Sequence, residues 1–204
     1  MRKGWGLLVL LLLMPGGTRA APAPLEEGPA TVPRPGELLV AAPELGDPRF
    51  DHTVVLMLQH DAEGAMGVVI NRPYGKAPTA ELLRRLGVDA GGVAGETLLF
   101  YGGPVQPEAG FVVHSTEYAL PDTHPLAAGL AVTSDPTILK DMATGRGPKQ
   151  AVPVLGYAGW GPGQLEGELA ERAWFVIPAD AELIFAPDPT RTWQRAMDRR
   201  GIEL

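Results

Sequence analysis

The sequence predicts an α+β domain built on a mixed, mostly antiparallel sheet. Three observations point there. Short turns join most consecutive strand-like segments, which favours antiparallel pairing. Helical segments fall between groups of strands rather than after each one, unlike a doubly wound parallel sheet. One segment, Phe50–His60, is apolar on both faces, as a central strand must be.

In chain order, Glu37–Ala42 (ELLVAA) reads as a short strand closed by Pro43. Phe50–His60 follows with histidines near both ends, and the turn Asp61–Gly64 returns it as Gly67–Asn71 (GVVIN). Thr79 is expected to cap a helix that presents Leu82, Leu83 and Leu86 and stops at Gly87. Thr97–Tyr101, Gly110–His114 and Leu130–Thr133 read as strands, and Ser134 as the cap of a helix over 135–144. Ala151–Gly156 reads as a strand feeding a glycine-rich loop, Gly156–Gly163. Gly161 then opens a helix to Glu171, with Pro162 at its first position. Ala173–Pro178 and Ala181–Ala186 read as two strands split by Ala179-Asp180. Thr190 caps a last helix, Arg191–Arg200, stopped by Gly201.

Ahead of this domain, Met1-Arg2-Lys3, the apolar run Leu7–Met14 and the small residues near Ala20 have the layout of a secretory signal peptide over residues 1–20. The run is too short to span a bilayer, so any membrane contact is expected only through this segment. Residues 21–36 hold five prolines and no apolar period, a linker before the domain at 37–204. A mature chain from Ala21 is expected to be periplasmic or secreted. The chain has no cysteine, which excludes a disulfide frame, a thiol nucleophile and a lipoprotein anchor. Its formal charge is −7, and losing Arg2, Lys3 and Arg19 leaves 14 basic against 24 acidic residues, or −10. Such a balance opposes binding to nucleic acid phosphates.

Four stretches carry a resemblance: Gly64–Pro73 (GAMGVVINRP), Tyr101–Val105 (YGGPV), Gly110–His114 (GFVVH) and Gly156–Glu166 (GYAGWGPGQLE). Together with Trp174 and Trp193 they resemble the YqgE/AlgH family, in order and over about residues 36–204. The resemblance implies an α+β fold with a bifurcated sheet, partly curled into a small barrel and surrounded by helices. It implies no catalytic residues. The family carries a transcriptional-regulator label and its typical members look cytoplasmic and start near the first strand. An exported member does not meet chromosomal DNA.

The residues themselves offer few reactive patterns. His60 and His114 stand at strand ends and, with a nearby carboxylate, could serve a zinc ion or activate water. No ligand spacing joins them, so ordinary strand-end hydrogen bonds are expected and no metal. Ser134 lacks the flanking glycines of a nucleophile elbow. The loop Gly156–Gly163 has neither the Lys-Ser/Thr of a P-loop nor a dinucleotide fingerprint, and no cofactor is expected. Its Tyr157, Gly159 and Trp160 could form a ligand surface, or the glycines could serve close backbone packing. On the latter view Gly159→Val should destabilise the fold. Asn71 and Arg72 end a strand, and Arg72 is expected to pair with Asp61 or Glu63, or with an anionic ligand. The possible ligand-binding set is therefore His60, Asn71, Arg72, Gly102, Gly103, His114, Tyr157, Gly159 and Trp160. The leading expectation is a non-enzymatic binding or regulatory module of the cell envelope, acting on a protein or small ligand. The rivals are a hydrolase using His60 and His114 and the regulator of the family label.

Overall fold

The computed structural model describes residues 32–200. The signal segment, most of the linker and Gly201 lie outside them. Ten strands form one continuous sheet: β1 (Glu37–Ala41), β2 (Val54–Asp61), β3 (Gly64–Val69), β4 (Pro73–Pro78), β5 (Glu96–Tyr101), β6 (Val105–Ser115), β7 (His124–Pro125), β8 (Leu130–Thr133), β9 (Ala151–Trp160) and β10 (Trp174–Pro178). Five helices complete the domain: α1 (Thr79–Arg85), α2 (Thr137–Ala143), α3 (Gln164–Ala170), α4 (Ala181–Ile184) and α5 (Thr192–Arg200). No helix among the described residues is long and apolar enough to cross a membrane.

The strand order is β10-β1-β2-β3-β9-β6-β8-β7, with β4 joined through β5 to β9. The sheet bifurcates at β9. One edge of β9 pairs with β6, while the other is shared between β5, at Val154 and Leu155, and β3, at Ala158–Trp160. Among these pairings only β5–β9 is parallel. The sheet curls into a half-barrel with helices around it, as the α+β reading expected.

Central placement of β2 follows from its composition. Leu56 packs on one face with Leu38, Val68 and Leu183, and Val55 and Met57 pack on the other with Leu165 and Trp174. A third cluster under α1 and α2 joins Leu83, Ile138 and Leu139 to Val112.

Several elements depart from the sequence reading. β2 starts at Val54 rather than Phe50, because His52 takes a left-handed φ of 54° and the buried Asn71 closes the ladder there. The segment Gly156–Trp160 is strand, not loop, since β3 and β6 flank it and supply its hydrogen bonds. The segment over 181–186 is the short helix α4: the Asp180 carboxylate accepts from Glu182 N at 2.7 Å, and β10 already has β1 as its partner. Thr79 lies inside α1 with its hydroxyl on Thr97, and Pro78 takes the cap position. Ser134 donates to Asp122, leaving Asp135 to accept from Thr137 N at the start of α2. The helix after the glycine-rich stretch is capped by Gly163, at φ 74°, instead of Gly161. Thr190 lies within a 3-10 turn, Pro189–Arg191, that precedes α5.

Candidate functional site

The sequence-selected residues separate into three places on the fold, and most serve its internal bonding. At one end of β9 sits His60, whose side chain is 5% exposed. Its Nδ1 is 2.8 Å from the Pro33 carbonyl and its Nε2 is 2.9 Å from Glu166 Oε1 on α3. Both neighbours only accept, so the ring satisfies both as a doubly protonated imidazolium. Burial opposes that charge, but the Pro33 carbonyl, Glu166 and nearby Asp61 outweigh it and hold the His60 pKa above its ordinary value. Glu166 is held below the usual range by its own backbone N–H and by His60. The clamp also fastens the end of the linker, where Gly36 N donates to Met57 O at 2.8 Å.

Because the folded-state pKa is raised, the clamp is fully present below the unfolded-state value near 6.5 and fades as pH rises through the folded-state value. The unfolding midpoint is therefore expected to fall as pH rises above about 6.5, and His60→Gln to flatten that slope. Equal slopes in the two proteins, followed by thermal melts across pH, would contradict the clamp.

Beside His60, Trp160 is buried rather than offered to a ligand. Its indole N–H and that of Trp174 both donate to Glu168 Oε2, at 2.9 and 2.7 Å, and Phe50 stacks on Trp160 and meets Trp174 edge-on. Tyr157 packs edge-on against Phe111. Gly159 is an exposed strand residue; a Cβ there would come no closer than 3.4 Å to a neighbour, and its φ is not positive. The expectation that Gly159→Val destabilises through left-handed strain is therefore corrected.

At the branch point of the sheet the glycine requirement is real. A Cβ on Gly102 would stand 2.2 Å from Gly156 O, one on Gly103 would stand 2.1 Å from Tyr157 C, and one on Gly156 would stand 2.4 Å from Gly103 O. Two backbones cross here without side chains between them. Nearby, Asn71 accepts from Val54 N at 2.8 Å and donates to His52 O at 2.9 Å. Arg72 donates to the carbonyls of Arg49 and Asp51, at 2.6 and 2.9 Å, and not to Asp61 or Glu63. Both residues hold the loop before β2 in place.

His114 is fully buried at the far end of β9, with Nε2 2.9 Å from Thr133 Oγ1 and Nδ1 3.0 Å from Ser115 O. The register places His60 opposite Ala65 and thence Trp160, and His114 opposite Ala151. Nine residue-to-residue steps along β9 separate these positions, on the order of 30 Å. The two histidines do not converge, which removes the geometric basis of the hydrolase reading. No group of three or more His, Cys, Asp or Glu placed to hold a metal occurs among the described residues.

A concave site lies elsewhere. A cleft of about 520 Å³ opens between the first halves of β5 and β9, with the end of α2 and the segment after α4 as its walls. Phe100, Val152, Pro153, Ile184 and Phe185 give it an apolar floor, and Glu96, Thr97, Lys149 and Gln150 bring polar groups. This volume lies in the range of ligand sites. None of the nine sequence-selected residues lines it. The one sequence signal that could have marked it is Pro153, a residue without an N–H inside a central strand.

Comparison with known proteins gives the same identity from two directions. The AlgH-like family model matches residues 38–204. A UPF0301 protein of Afipia carboxidovorans is 44% identical over 177 residues, covering 83% of this chain and 84% of the relative. One from Methylococcus capsulatus is 41% identical, covering 83% and 92%. The solution structure of the AlgH protein from Pseudomonas aeruginosa superposes with a TM-score of 0.67 at 37% identity, covering 81% of this chain and 88% of that one. A crystal structure of a Corynebacterium diphtheriae protein gives 0.66 at 25% identity, covering 83% and 88%. With a family model over residues 38–204, a matching fold and relatives over 83% of its length, this chain belongs to the AlgH-like family.

Proposed function

We propose that this protein is a non-enzymatic binding module whose ligand seats in the cleft between β5 and β9. The observation that carries this reading is the cleft itself: an apolar floor with polar groups on its rim, the usual composition of a binding site. The side chains at its rim, Glu96, Lys149 and Gln150, suit recognition more than proton transfer, because none is buried. The acidic balance of the chain, −7, favours a protein or small molecule over nucleic acid as partner.

A fragment-screening titration followed by amide NMR tests it. Bound fragments are expected to shift signals of Glu96–Phe100 and Gln150–Val152. Ala143→Trp, at an exposed position on the α2 wall, is expected to displace them by filling the cleft. Shifts confined to Tyr157–Trp160, or none anywhere, would overturn the assignment.

We place the module in the cell envelope on the layout of Met1–Ala20. Mass spectrometry of the native protein is expected to find a mature N-terminus near Ala21. An intact Met1 on cytoplasmic protein would contradict export.

A further inference from the structure

Resting on the assignment of the cleft as the binding site, we propose that its ligand is an extended peptide, held by main-chain hydrogen bonds as an added strand between β5 and β9. The backbone directions of the two strands lead there. On β5, Tyr101 N donates to Arg72 O and Thr79 N donates to Gly95 O, at 2.9 and 3.1 Å. With the β4–β5 register, alternation then turns Thr97 and Leu99 toward β4, and turns the N–H and C=O groups of Glu96 and Leu98 toward β9. On β9, Ser115 N donates to Gln150 O at 3.1 Å and Gly102 N to Leu155 O at 2.8 Å. The β6–β9 register then turns Val152 toward β6, and Ala151 and Pro153 toward β5.

These facing groups do not meet. The β5–β9 ladder contains only Phe100–Val154 and Tyr101–Leu155. It stops at Pro153, which has no N–H to give Leu98. Below that point the strands part around the cleft. Leu98 and Glu96 present a donor and an acceptor each on one side, and Ala151 presents its own pair on the other. Backbone groups left facing one slot, two residues on the β5 side and one on the β9 side, are recognised by another extended backbone, the basis of strand addition.

The side chains specify the peptide further. Leu98 is 38% exposed beside Phe100 and Phe185, so apolar residues suit the floor. Lys149 is exposed at the mouth of the slot; Glu117 accepts from its backbone N–H at 2.6 Å and shares the field of its ammonium, which forms no ion pair among the described residues, and this favours a carboxylate-bearing residue at that end. The occupant is thus a short extended segment of another protein, apolar in its centre with an acidic flank.

Selection of eight-residue peptides from a display library on the full chain, followed by N-methyl scanning of a synthetic selected peptide, tests the proposal. Apolar peptides with an acidic flank are expected. Methylation of the main-chain nitrogens should weaken binding at least tenfold at every second residue and less than threefold between. Lys149→Glu should weaken the same peptides, and Leu98→Pro, which removes only the cleft-facing N–H, should abolish capture while amide spectra confirm the fold. If Leu98→Pro does not fold, the methyl scan on the unmodified protein decides alone. Uniform insensitivity to N-methylation, or no selected peptide, overturns strand addition. Fragments that still shift Glu96–Phe100 would then leave the cleft as a binding site, whereas silence in both experiments removes both readings.

Discussion

Gly156→Ala is expected to lower the thermal unfolding midpoint by about 10–20 °C, from a loss of roughly 4–5 kcal/mol in a domain of this size. Two effects add. Gly156 has a φ of +73°, a conformation that strains any residue with a Cβ. The new methyl would also stand 2.4 Å from Gly103 O and 3.1 Å from Val105 O. These are backbone atoms, and the strands β5, β6 and β9 hold them, so no side-chain rotation relieves the overlap. Gly159→Ala, three residues along the same strand, is expected to leave the midpoint almost unchanged, because its nearest contact would be 3.4 Å and its φ is ordinary. Comparable losses in the two variants would show that the backbones do not cross as described. If Gly156→Ala yields no soluble protein while Gly159→Ala does, the contrast still holds.

Glu168→Leu should cost about 2–4 kcal/mol, or about 5–15 °C in the midpoint, and shift tryptophan emission to longer wavelength. One carboxylate oxygen accepts from Trp160 and Trp174, which are 6% and 3% exposed, and the other accepts from Gln164 Nε2 at 2.9 Å. Leucine leaves two indole N–H groups without an acceptor inside an aromatic cluster. Glu168→Gln keeps one carbonyl oxygen and should fall between the wild type and Glu168→Leu. Unchanged melting and emission in Glu168→Leu would mean the indoles find water and the bridge contributes nothing.

Composition and local pattern determined a good part of this protein by themselves. The two-faced apolar run Val54–Met57 demanded a central strand, because neither face tolerates water. Asp61–Gly64 demanded a tight return, and long motifs such as Gly64–Pro73 identified the family. The glycines of Tyr101–Pro104 and Gly156–Gly163 were legible as unusual, but their spacing could not say which of them touch. Only the bifurcation at β9 decided that Gly102, Gly103 and Gly156 meet while Gly159 faces outward. Local pattern also read residues 181–186 as a strand, since Leu183 and Ile184 are as apolar as any strand residue. Helix followed instead because Asp180 caps it and β1 had already taken β10. His60 and Arg72 were visible as polar residues among apolar ones, but their partners lie 27, 106 and 23 positions away, beyond any local window. The cleft was the least visible feature of all. Its polar groups include backbone atoms, which every sequence contains, and only tertiary pairing decides which of them are left facing one another across a gap.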